Sequence, residues 1–438
     1  MRILLLNAPS GPSQQRVFPL GLGYIATAVG ERHEVACFDA NLVEDPFAEL
    51  ERVVARSKPE VVGLSLRNID TTQSYNPHSC WPLFIRMVKQ LRQHCPDAVL
   101  IAGGAGFSIF AESIMKRLPE IDLGVHLEGE ESFPELLDAL DHPGDVRGVY
   151  HRQDGQVLFS GPRPFLDFDT LPMPRRDILD LSAYEGLHAI GVQTKRGCAF
   201  DCMYCTYPFL SGRRLRLRSP ESVGAELEML CREHGRHEVF FADNVFNRPT
   251  SHAAAICQEV IRRKLDIRWT AYFTEEGITA DFVRLALEAG CVKFTFSPDG
   301  NNDTTLERLG KGVSREQIEA AYTVIEEFPQ ARFGCGFIWN YPQVHSRDLR
   351  DLTSLLLRLL RSKNLAGISV STMRILPNTR LHGIALAEKR VRPDDDLLHP
   401  VFYDPFPWKL VSMPINGLGK LLKMVDGMTR RSIFHRGS

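Results

Sequence analysis

Short apolar runs alternate with amphipathic, helix-like stretches through the first 140 residues of the chain. Five of these runs have the length of buried strands, and they fall at residues 3–6, 34–38, 61–66, 98–102 and 123–127. A strand followed by a helix, repeated five times, predicts an open, Rossmann-like parallel sheet with helices on both faces. Ligands of such sheets bind beyond the carboxyl ends of the strands. Polar residues and glycines stand at or near those ends: Asn7, Asn41, Ser65, Arg67, Asn68, Gly103, Gly104 and Glu128.

The pattern changes after residue 140. Residues 141–189 hold a predicted β-hairpin around Asp154-Gly155 and then several prolines, which together predict a stiff, extended linker. A second series of six strand–helix units fills residues 190–382 and again predicts a parallel α/β unit. Residues 383–438 form a small C-terminal extension with Tyr403 and Trp408 beside prolines. This extension is interpreted either as part of a substrate pocket or as a packing cap.

Composition narrows the functional classes. The chain has 438 residues, 44% hydrophobic content and a formal charge of −2, which is ordinary for a globular protein and gives no reason to expect a nucleic-acid partner. No apolar run reaches the roughly eighteen residues of a transmembrane helix, so no membrane span is expected. Three of the ten cysteines form a tight triplet and the other seven are scattered, which favours a reducing, cytoplasmic location and argues against a second, C-terminal cluster.

The triplet carries the clearest chemistry. Cys198, Cys202 and Cys205 have the spacing C-x3-C-x2-C and follow Lys195-Arg196-Gly197. Such a loop can give one thiolate to each of three irons of a [4Fe-4S] cluster and leave the fourth iron open to a substrate. The alternative is three ordinary cysteines among ten. The close spacing, the preceding Lys-Arg-Gly and the following Pro208 favour the cluster.

The triplet, with Tyr204 just before its last cysteine, resembles that of the radical S-adenosylmethionine (SAM) superfamily. The resemblance implies that residues 190–382 form a partial (β/α)6 barrel, that the three cysteines hold the cluster, and that SAM chelates the open iron. It also implies that Tyr204 lies against the adenine. The SAM-binding residues implied at the strand ends are Asp243 and Asn244 for the amino group and Ser297 and Asp299 for the ribose or carboxylate. Helix caps and turns are the alternatives for these residues. Arg216 and Arg218 are candidates for the SAM carboxylate or for an anionic substrate, unless their arginine-rich run is a solvated loop.

The first 140 residues resemble the cobalamin-binding domain that is joined to some radical SAM enzymes. The resemblance rests on Pro19–Tyr24, Asp39–Asn41, Leu64–Asn68 and Gly103-Gly104. It implies that the strand-end residues named above bind cobalamin. The D-x-H-x-x-G signature is absent, which implies that no histidine ligates the cobalt. Arg67 stands where one branch of the family places an arginine facing cobalt. Its alternatives are a cap on the sheet or an ion pair with Asp70, and the whole domain could also be a scaffold that has lost the cofactor.

Together these resemblances imply a cobalamin-dependent radical SAM methyltransferase that works through methylcobalamin in a biosynthetic pathway. Its substrate would be a carbon or phosphorus centre of a small molecule or peptide, and a reducing system such as flavodoxin or ferredoxin would supply electrons. Radical and polar methyl transfer both stay open. The alternatives are a cobalamin-dependent cyclase or rearrangement enzyme without methyl transfer, and a non-enzymatic cofactor-binding sensor.

Overall fold

The computed structural model describes residues 1–11, 15–74 and 77–404. Its first unit is a seven-stranded sheet with the order β2-β1-β3-β4-β5-β6-β7. The strands are β1 (Arg2–Asn7), β2 (Glu34–Asp39), β3 (Val61–Ser65), β4 (Val99–Gly103), β5 (Leu123–Val125), β6 (Val149–Gln153) and β7 (Gln156–Phe159). The helices are α1 (Leu20–Val29), α2 (Pro46–Ser57), α3 (Trp81–His94), α4 (Ala105–Ile109), α5 (Ala111–Arg117) and α6 (Ser132–Asp138).

Strands β1 to β5 are parallel, which confirms the predicted sheet. In β1, residues Ile3–Leu6 are all buried because helices cover both faces of the sheet. The hairpin β6–β7 was predicted to belong to the linker, but β6 pairs antiparallel with β5. The hairpin thereby covers what would be an open edge strand, so the first sheet continues to Phe159.

The second unit is a six-stranded parallel sheet with the order β15-β14-β13-β12-β11-β8, which confirms the predicted six strand–helix units. Its strands, with the short antiparallel pair β9–β10, are β8 (Gly191–Val192), β9 (Lys195–Arg196), β10 (Arg216–Leu217), β11 (Glu238–Phe241), β12 (Arg268–Tyr272), β13 (Cys291–Phe296), β14 (Phe333–Ile338) and β15 (Leu365–Ser371). The helices are α7 (Tyr207–Ser211), α8 (Pro220–Arg232), α9 (Thr250–Arg262), α10 (Ala280–Glu288), α11 (Asp303–Leu309), α12 (Arg315–Glu326), α13 (Ser346–Leu359) and α14 (Arg380–Ala387). Short 3-10 helices cover Gly30–Arg32, Pro143–Asp145, Phe168–Thr170 and Leu181–Ala183.

Successive side chains of the barrel strands point alternately into the core between strands and helices and into the barrel interior. Phe241 and Trp269 pack edge to face, with ring centroids 4.9 Å apart, in the core between strands and helices. The neighbouring residues Phe240 and Tyr272 point to the opposite side, because successive side chains of a strand alternate. Tyr272 is 45% exposed, so the inner side of the barrel is open to a ligand.

The two units pack against each other through a shared core. One hydrophobic cluster contains Phe84 and Leu118 of the first unit together with Met203 and Ile375 of the second. A buried ion pair, Arg374 Nε to Asp70 Oδ2 at 2.9 Å, also joins them. The two units therefore meet in a continuous core.

The described part of the C-terminal extension behaves as a packing cap. Leu398 and Tyr403 belong to the shared core, and the Tyr403 hydroxyl donates to Glu388 at 2.8 Å. Trp408 and the predicted basic helix near residues 416–430 lie outside the described residues. None of the helices in residues 1–11, 15–74 and 77–404 combines the length and the apolar character that crossing a membrane requires.

Candidate active site

The three cysteines lie on a loop that backbone contacts hold at several points. Cys198 N donates to Gly212 O at 2.9 Å, and Cys205 N donates to Cys202 O at 3.0 Å. The loop begins at Gly197, which has φ = +99°. A Cβ at Gly197 would stand 2.1 Å from Arg214 O, so only glycine fits there.

The three thiols provide the donor set of an iron–sulfur cluster. Burial raises the pKa of the Cys205 thiol to about 12 and raises the pKa of Cys198 and Cys202 as well. Within the described residues, no three His, Cys, Asp or Glu side chains are arranged to hold one metal ion. Cysteines of a cubane cluster each bind a different iron, so their sulfurs need not converge on one point. Three thiols on one short loop fit that donor set.

A buried polar triad fixes the loop against the barrel. Tyr204 donates its hydroxyl hydrogen to Asp299 Oδ2 at 2.5 Å, and the Lys311 ammonium donates to the same oxygen at 2.8 Å. The backbone N–H of Ile338 donates to Asp299 Oδ1 at 2.9 Å. Burial lowers the pKa of Lys311, but Asp299 together with Tyr204 and Cys202 raises that pKa well above its ordinary value. Asp299 thus ties the cluster loop to the ends of β13 and β14.

A second buried acid stands near this triad. Burial raises the pKa of Glu275 to about 7, against the opposing field of Lys311. The Tyr322 hydroxyl donates to Glu275 Oε1 at 3.3 Å and lies 3.2 Å from Cys335 Sγ. Glu275 follows β12, so its carboxyl group extends the polar network from the strand end into the barrel wall.

Asp243 has a structural role that differs from the predicted one. Its Oδ1 accepts from Thr194 N at 2.7 Å, and its Oδ2 accepts from the Lys195 ammonium at 3.1 Å. The side chain is fully buried and holds the strand that leads into the cluster loop. Its oxygens accept hydrogen bonds from the protein itself, and its contact with the SAM amino group stays a prediction. Its neighbour Asn244 donates to Gly197 O at 3.1 Å and reaches the central cavity.

The carboxyl ends of both sheets open on one cavity of about 420 Å³ between the two units. The first sheet contributes Ser65, Gly103 and Val125 to its wall, and the barrel contributes Gln193 and Asn244. Helix α7, which follows the last cysteine, adds Tyr207, Leu210 and Ser211. The cysteine loop therefore runs directly into one wall of the cavity.

Two sequence families match the chain. The family described as the B12 binding domain matches residues 11–137, and the Radical SAM superfamily matches residues 192–356. The chain belongs to the cobalamin-dependent radical SAM enzymes. An uncharacterized methyltransferase of Pyrococcus horikoshii is 29% identical to this enzyme over 353 residues, which are 78% of this chain and 74% of that protein. The anaerobic magnesium-protoporphyrin IX monomethyl ester cyclase of Synechocystis sp. is 26% identical over 374 residues, which are 82% of this chain and 72% of that protein.

A solved structure shares the fold of this enzyme. The radical S-adenosylmethionine methyltransferase TsrM from Kitasatospora setae, with cobalamin and a [4Fe-4S] cluster bound, superposes with a TM-score of 0.76. The alignment covers 88% of this chain and 78% of that chain at 22% identity. The arrangement of a B12-binding sheet facing a radical SAM barrel is therefore common to both proteins.

The cavity of this enzyme fits cobalamin, which has a broad ring and a long tail. Part of its lining is apolar and comes from Leu5, Leu22, Ile101, Val125 and Phe133. A Cβ at Gly21 would meet nothing within 4 Å, and one at Gly103 would meet nothing closer than 3.6 Å. The backbone is thus open to a bulky ligand at both glycines, as expected for a cofactor lying over the strand ends.

The predicted cobalamin residues of this enzyme divide into two groups. Ser65, Arg67, Gly103, Gly104 and Glu128 line the cavity. Asn7, Asn41 and Asn68 line a separate, small pocket that Arg67 also reaches. Asn7 and Asn41 both donate to Asp39 Oδ1, at 2.9 and 2.8 Å, so their amides hold the loops after β1 and β2 together, and their contact with cobalamin stays a prediction.

Glu128 and Arg216 bind each other across the two units. Arg216 donates through both terminal nitrogens to the Glu128 carboxylate, at 2.8 and 2.7 Å, and its remaining terminal N–H groups go to Leu166 O and Ser211 O. Arg196 donates to Glu128 at 3.2 Å as well. These contacts join the two units, and the binding of the SAM carboxylate or an anionic substrate by Arg216 stays a prediction. Arg218 likewise pairs with buried Glu226 at 2.6 Å.

Arg67 keeps its guanidinium free. It is exposed at the cavity and makes no hydrogen bond or ion pair with another described residue. The suggested partner Asp70 pairs with Arg374 instead. Tyr204 and Ser297 stay predicted SAM contacts. Gly336 supports the second, because a Cβ there would come within 3.1 Å of the Ser297 hydroxyl, so the glycine leaves space beside it.

The sequence interpretation missed Lys311 as part of the site. Its only local signal is a lysine between two glycines, Gly310 and Gly312, and Gly310 has φ = +73°. A Cβ at Gly310 would stand 2.1 Å from Asp201 O in the cysteine loop. The sequence could have indicated that a glycine turn places the Lys311 cation against the cluster loop. It carries no signal for the pairing of Lys311 with Asp299.

Proposed function

We propose that this enzyme transfers a methyl group from SAM, by way of cobalamin, to a carbon or phosphorus centre of a small molecule or peptide. The observation that carries the proposal is the single cavity shared by the B12-binding sheet and the barrel, next to the cysteine loop. When bound, cobalamin supplies a methyl carrier and the cluster with SAM supplies a methyl donor or a radical. Methyltransferases among the relatives support this reading, and the cyclase relative makes ring closure the rival reaction.

The chain's own residues prepare the cavity for that chemistry. Arg67 presents a free cation at the cavity, and an arginine cannot coordinate cobalt while it keeps its charge. Tyr207 and Tyr272 are 49% and 45% exposed, which leaves their ring faces available to a substrate. The ion pair between Asp299 and Lys311 anchors the cluster loop to the barrel, so the loop keeps its position when a ligand binds in the cavity.

The test is anaerobic reconstitution of the enzyme with iron, sulfide and hydroxocobalamin, followed by incubation with SAM and a reductant. The expected result is one cobalamin and one four-iron cluster per chain, with S-adenosylhomocysteine formed only when cobalamin is present. A product heavier by one methyl group supports methyl transfer. A product without added methyl would assign the enzyme to the cyclase class, and failure to consume SAM at all would support a sensor.

A matched pair of glycine variants tests whether the cavity is the cobalamin site. Gly21 in α1 and Gly383 in α14 are both exposed helical residues at which a Cβ meets nothing within 4 Å. Only Gly21 lines the cavity. We expect Gly21→Phe to lower the cobalamin content at least about tenfold with the cluster retained, because its ring fills the cavity. Gly383→Phe is the control and should keep both cofactors. Equal cobalamin binding by both variants would contradict the assignment.

Two further features complete the proposal. All ten cysteines are free thiols, which supports a reducing, cytoplasmic setting. The chemistry also requires an electron donor, and a small carrier such as flavodoxin or ferredoxin is the partner we propose.

A further inference from the structure

The outer side of the cluster loop is unusually rich in arginine. Arg213 and Arg380 both donate to the Asp201 carboxylate, at 2.6 and 2.5 Å, and their side chains are 62% and 45% exposed. Arg214 is exposed and makes no hydrogen bond or ion pair with another described residue. Two cations on one carboxylate, with a third cation beside them, leave this surface positive although the chain as a whole has a formal charge of −2.

A fourth arginine extends the surface over the loop itself. Arg248 lies over the Phe200 ring, 4.7 Å from its centroid, and pairs with Glu276. Phe200 stands between the first two cysteines of the triplet.

These four arginines come from separate parts of the chain. Arg213 and Arg214 precede β10, Arg248 follows β11, and Arg380 begins α14. Arg213 and Arg380 contact Asp201, Arg248 lies over Phe200, and none of the four lines the central cavity. We call this surface the arginine face. Its position outside the cavity means that it serves neither cobalamin nor a substrate bound there.

We propose that the arginine face docks an acidic one-electron carrier protein, which reduces the cluster of the enzyme. This inference rests on the proposed function, because only a redox-active cluster needs such a donor. One electron leaves the reduced carrier, which is thereby oxidised by one electron, and the cluster is reduced by one; no bond is made or broken. Electron tunnelling weakens steeply with distance, so the donor must dock beside the cysteine loop. Opposite charges on the two surfaces raise the association rate.

A protein suits this surface better than a nucleic acid does. The acids Asp201 and Glu276 lie among the four arginines, and their side chains are 44% and 43% exposed. A run of phosphates would face repulsion from both, whereas a protein surface of mixed charge can place its own basic groups against them. The mixed pattern therefore favours an acidic protein.

The variant Arg214→Glu tests the proposal with little risk to folding, because this side chain has no partner to lose. Flavodoxin is the probe, and two quantities are measured on the reconstituted full-length enzyme: the Kd for oxidised flavodoxin and the rate of cluster reduction by reduced flavodoxin. At low ionic strength we expect both to worsen by about tenfold relative to wild type, and added salt should shrink the difference. The control is Arg284→Glu, an exposed residue beside the open pocket of Arg268 and Gly290 at the other end of the barrel strands.

Reduced methyl viologen, a small cation, separates docking from cluster chemistry. Its rate of cluster reduction should not fall in Arg214→Glu, because it needs no acidic docking surface. Unchanged flavodoxin binding and reduction in Arg214→Glu would overturn the proposal. So would an equal loss in Arg284→Glu. If viologen-reduced wild type with SAM and bound cobalamin forms no S-adenosylhomocysteine, the proposed function fails, while the flavodoxin measurements still decide the docking site.

Discussion

The buried ammonium of Lys311 gives a sharp test of how the cluster loop is held. It lies 2.8 Å from Asp299 Oδ2, and the Asp299 side chain is 1% exposed. Lys311→Met would leave that carboxylate with two neutral donors, the Tyr204 hydroxyl and the Ile338 N–H. Removing one partner of a buried ion pair costs about 3–5 kcal/mol of stability, because the remaining charge stays desolvated. We expect a loss of that size.

The measurement is urea unfolding of the cluster-free protein, followed by far-UV circular dichroism, for a double-mutant cycle. Asp299→Asn alone leaves Lys311 unpaired and should also be costly. The double variant Lys311→Met/Asp299→Asn contains neither charge, so its loss should fall at least about 2 kcal/mol short of the sum of the single losses. Arg315→Met is the control. It breaks an exposed pair with Glu319, at 2.8 Å, and should leave the stability nearly unchanged, because water screens such pairs.

Two results would refute this reasoning. Lys311→Met with the stability of the control would mean that Asp299 carries no charge that needs a partner. Additive losses in the cycle would mean that the two residues act independently, in spite of their contact. Either result would remove the triad as the support of the cluster loop.

Three further variants test other parts of the site. Because burial raises the pKa of Glu275 from its ordinary 4.5 to about 7, its contribution to stability is present below pH 4.5 and is lost as the pH rises through about 7. Between pH 5 and pH 8 the unfolding free energy of the wild type should fall by about 3 kcal/mol because of this group, and Glu275→Gln should lack that fall. An unchanged pH profile in the variant would contradict the burial argument. Gly197→Ala should lower the iron content of the reconstituted enzyme, whereas Gly235→Ala, with φ = +60° and no neighbour within 4 Å, should not. Arg67→Ala should keep both cofactors and slow methyl transfer at least about tenfold, and an unchanged rate would exclude a role of this cation in the reaction.

Local sequence patterns predicted the strands of both sheets. They did not predict the long-range pairing of the hairpin β6–β7 with β5. The residues of β1 and β3 form continuous apolar runs, so a buried parallel strand is the structure that satisfies them. The hairpin β6–β7 was recognised, but its place beside β5 was not. An edge strand and the segment that covers it carry no shared sequence signal, since their pairing depends on the tertiary fold.

The candidate site shows the same contrast between local patterns, which the sequence reveals, and long-range contacts, which it does not. The cysteine spacing is a local property of eight residues, and it identified the cluster loop directly. Arg216 and Glu128 lie 88 residues apart in the chain, and either one alone looks like an available ligand group. Asp243 likewise looks available until Lys195, 48 residues away, occupies it. Charged residues at strand ends are therefore ambiguous from sequence, because a buried partner can satisfy them as well as a cofactor can.

The contact between the units limits how the cavity can admit its ligands. Pulling the units apart would return both partners of each ion pair to water, so the ion pairs oppose separation only weakly. The shared core opposes it strongly. Met203, Leu309, Met373 and Ile375 are at most 2% exposed and belong to the same cluster as the helices of the first unit. Exposing four such side chains costs on the order of 10 kcal/mol. Ligands must therefore reach the cavity with the two units still packed together, so the width of the cavity mouth limits the size of the substrate.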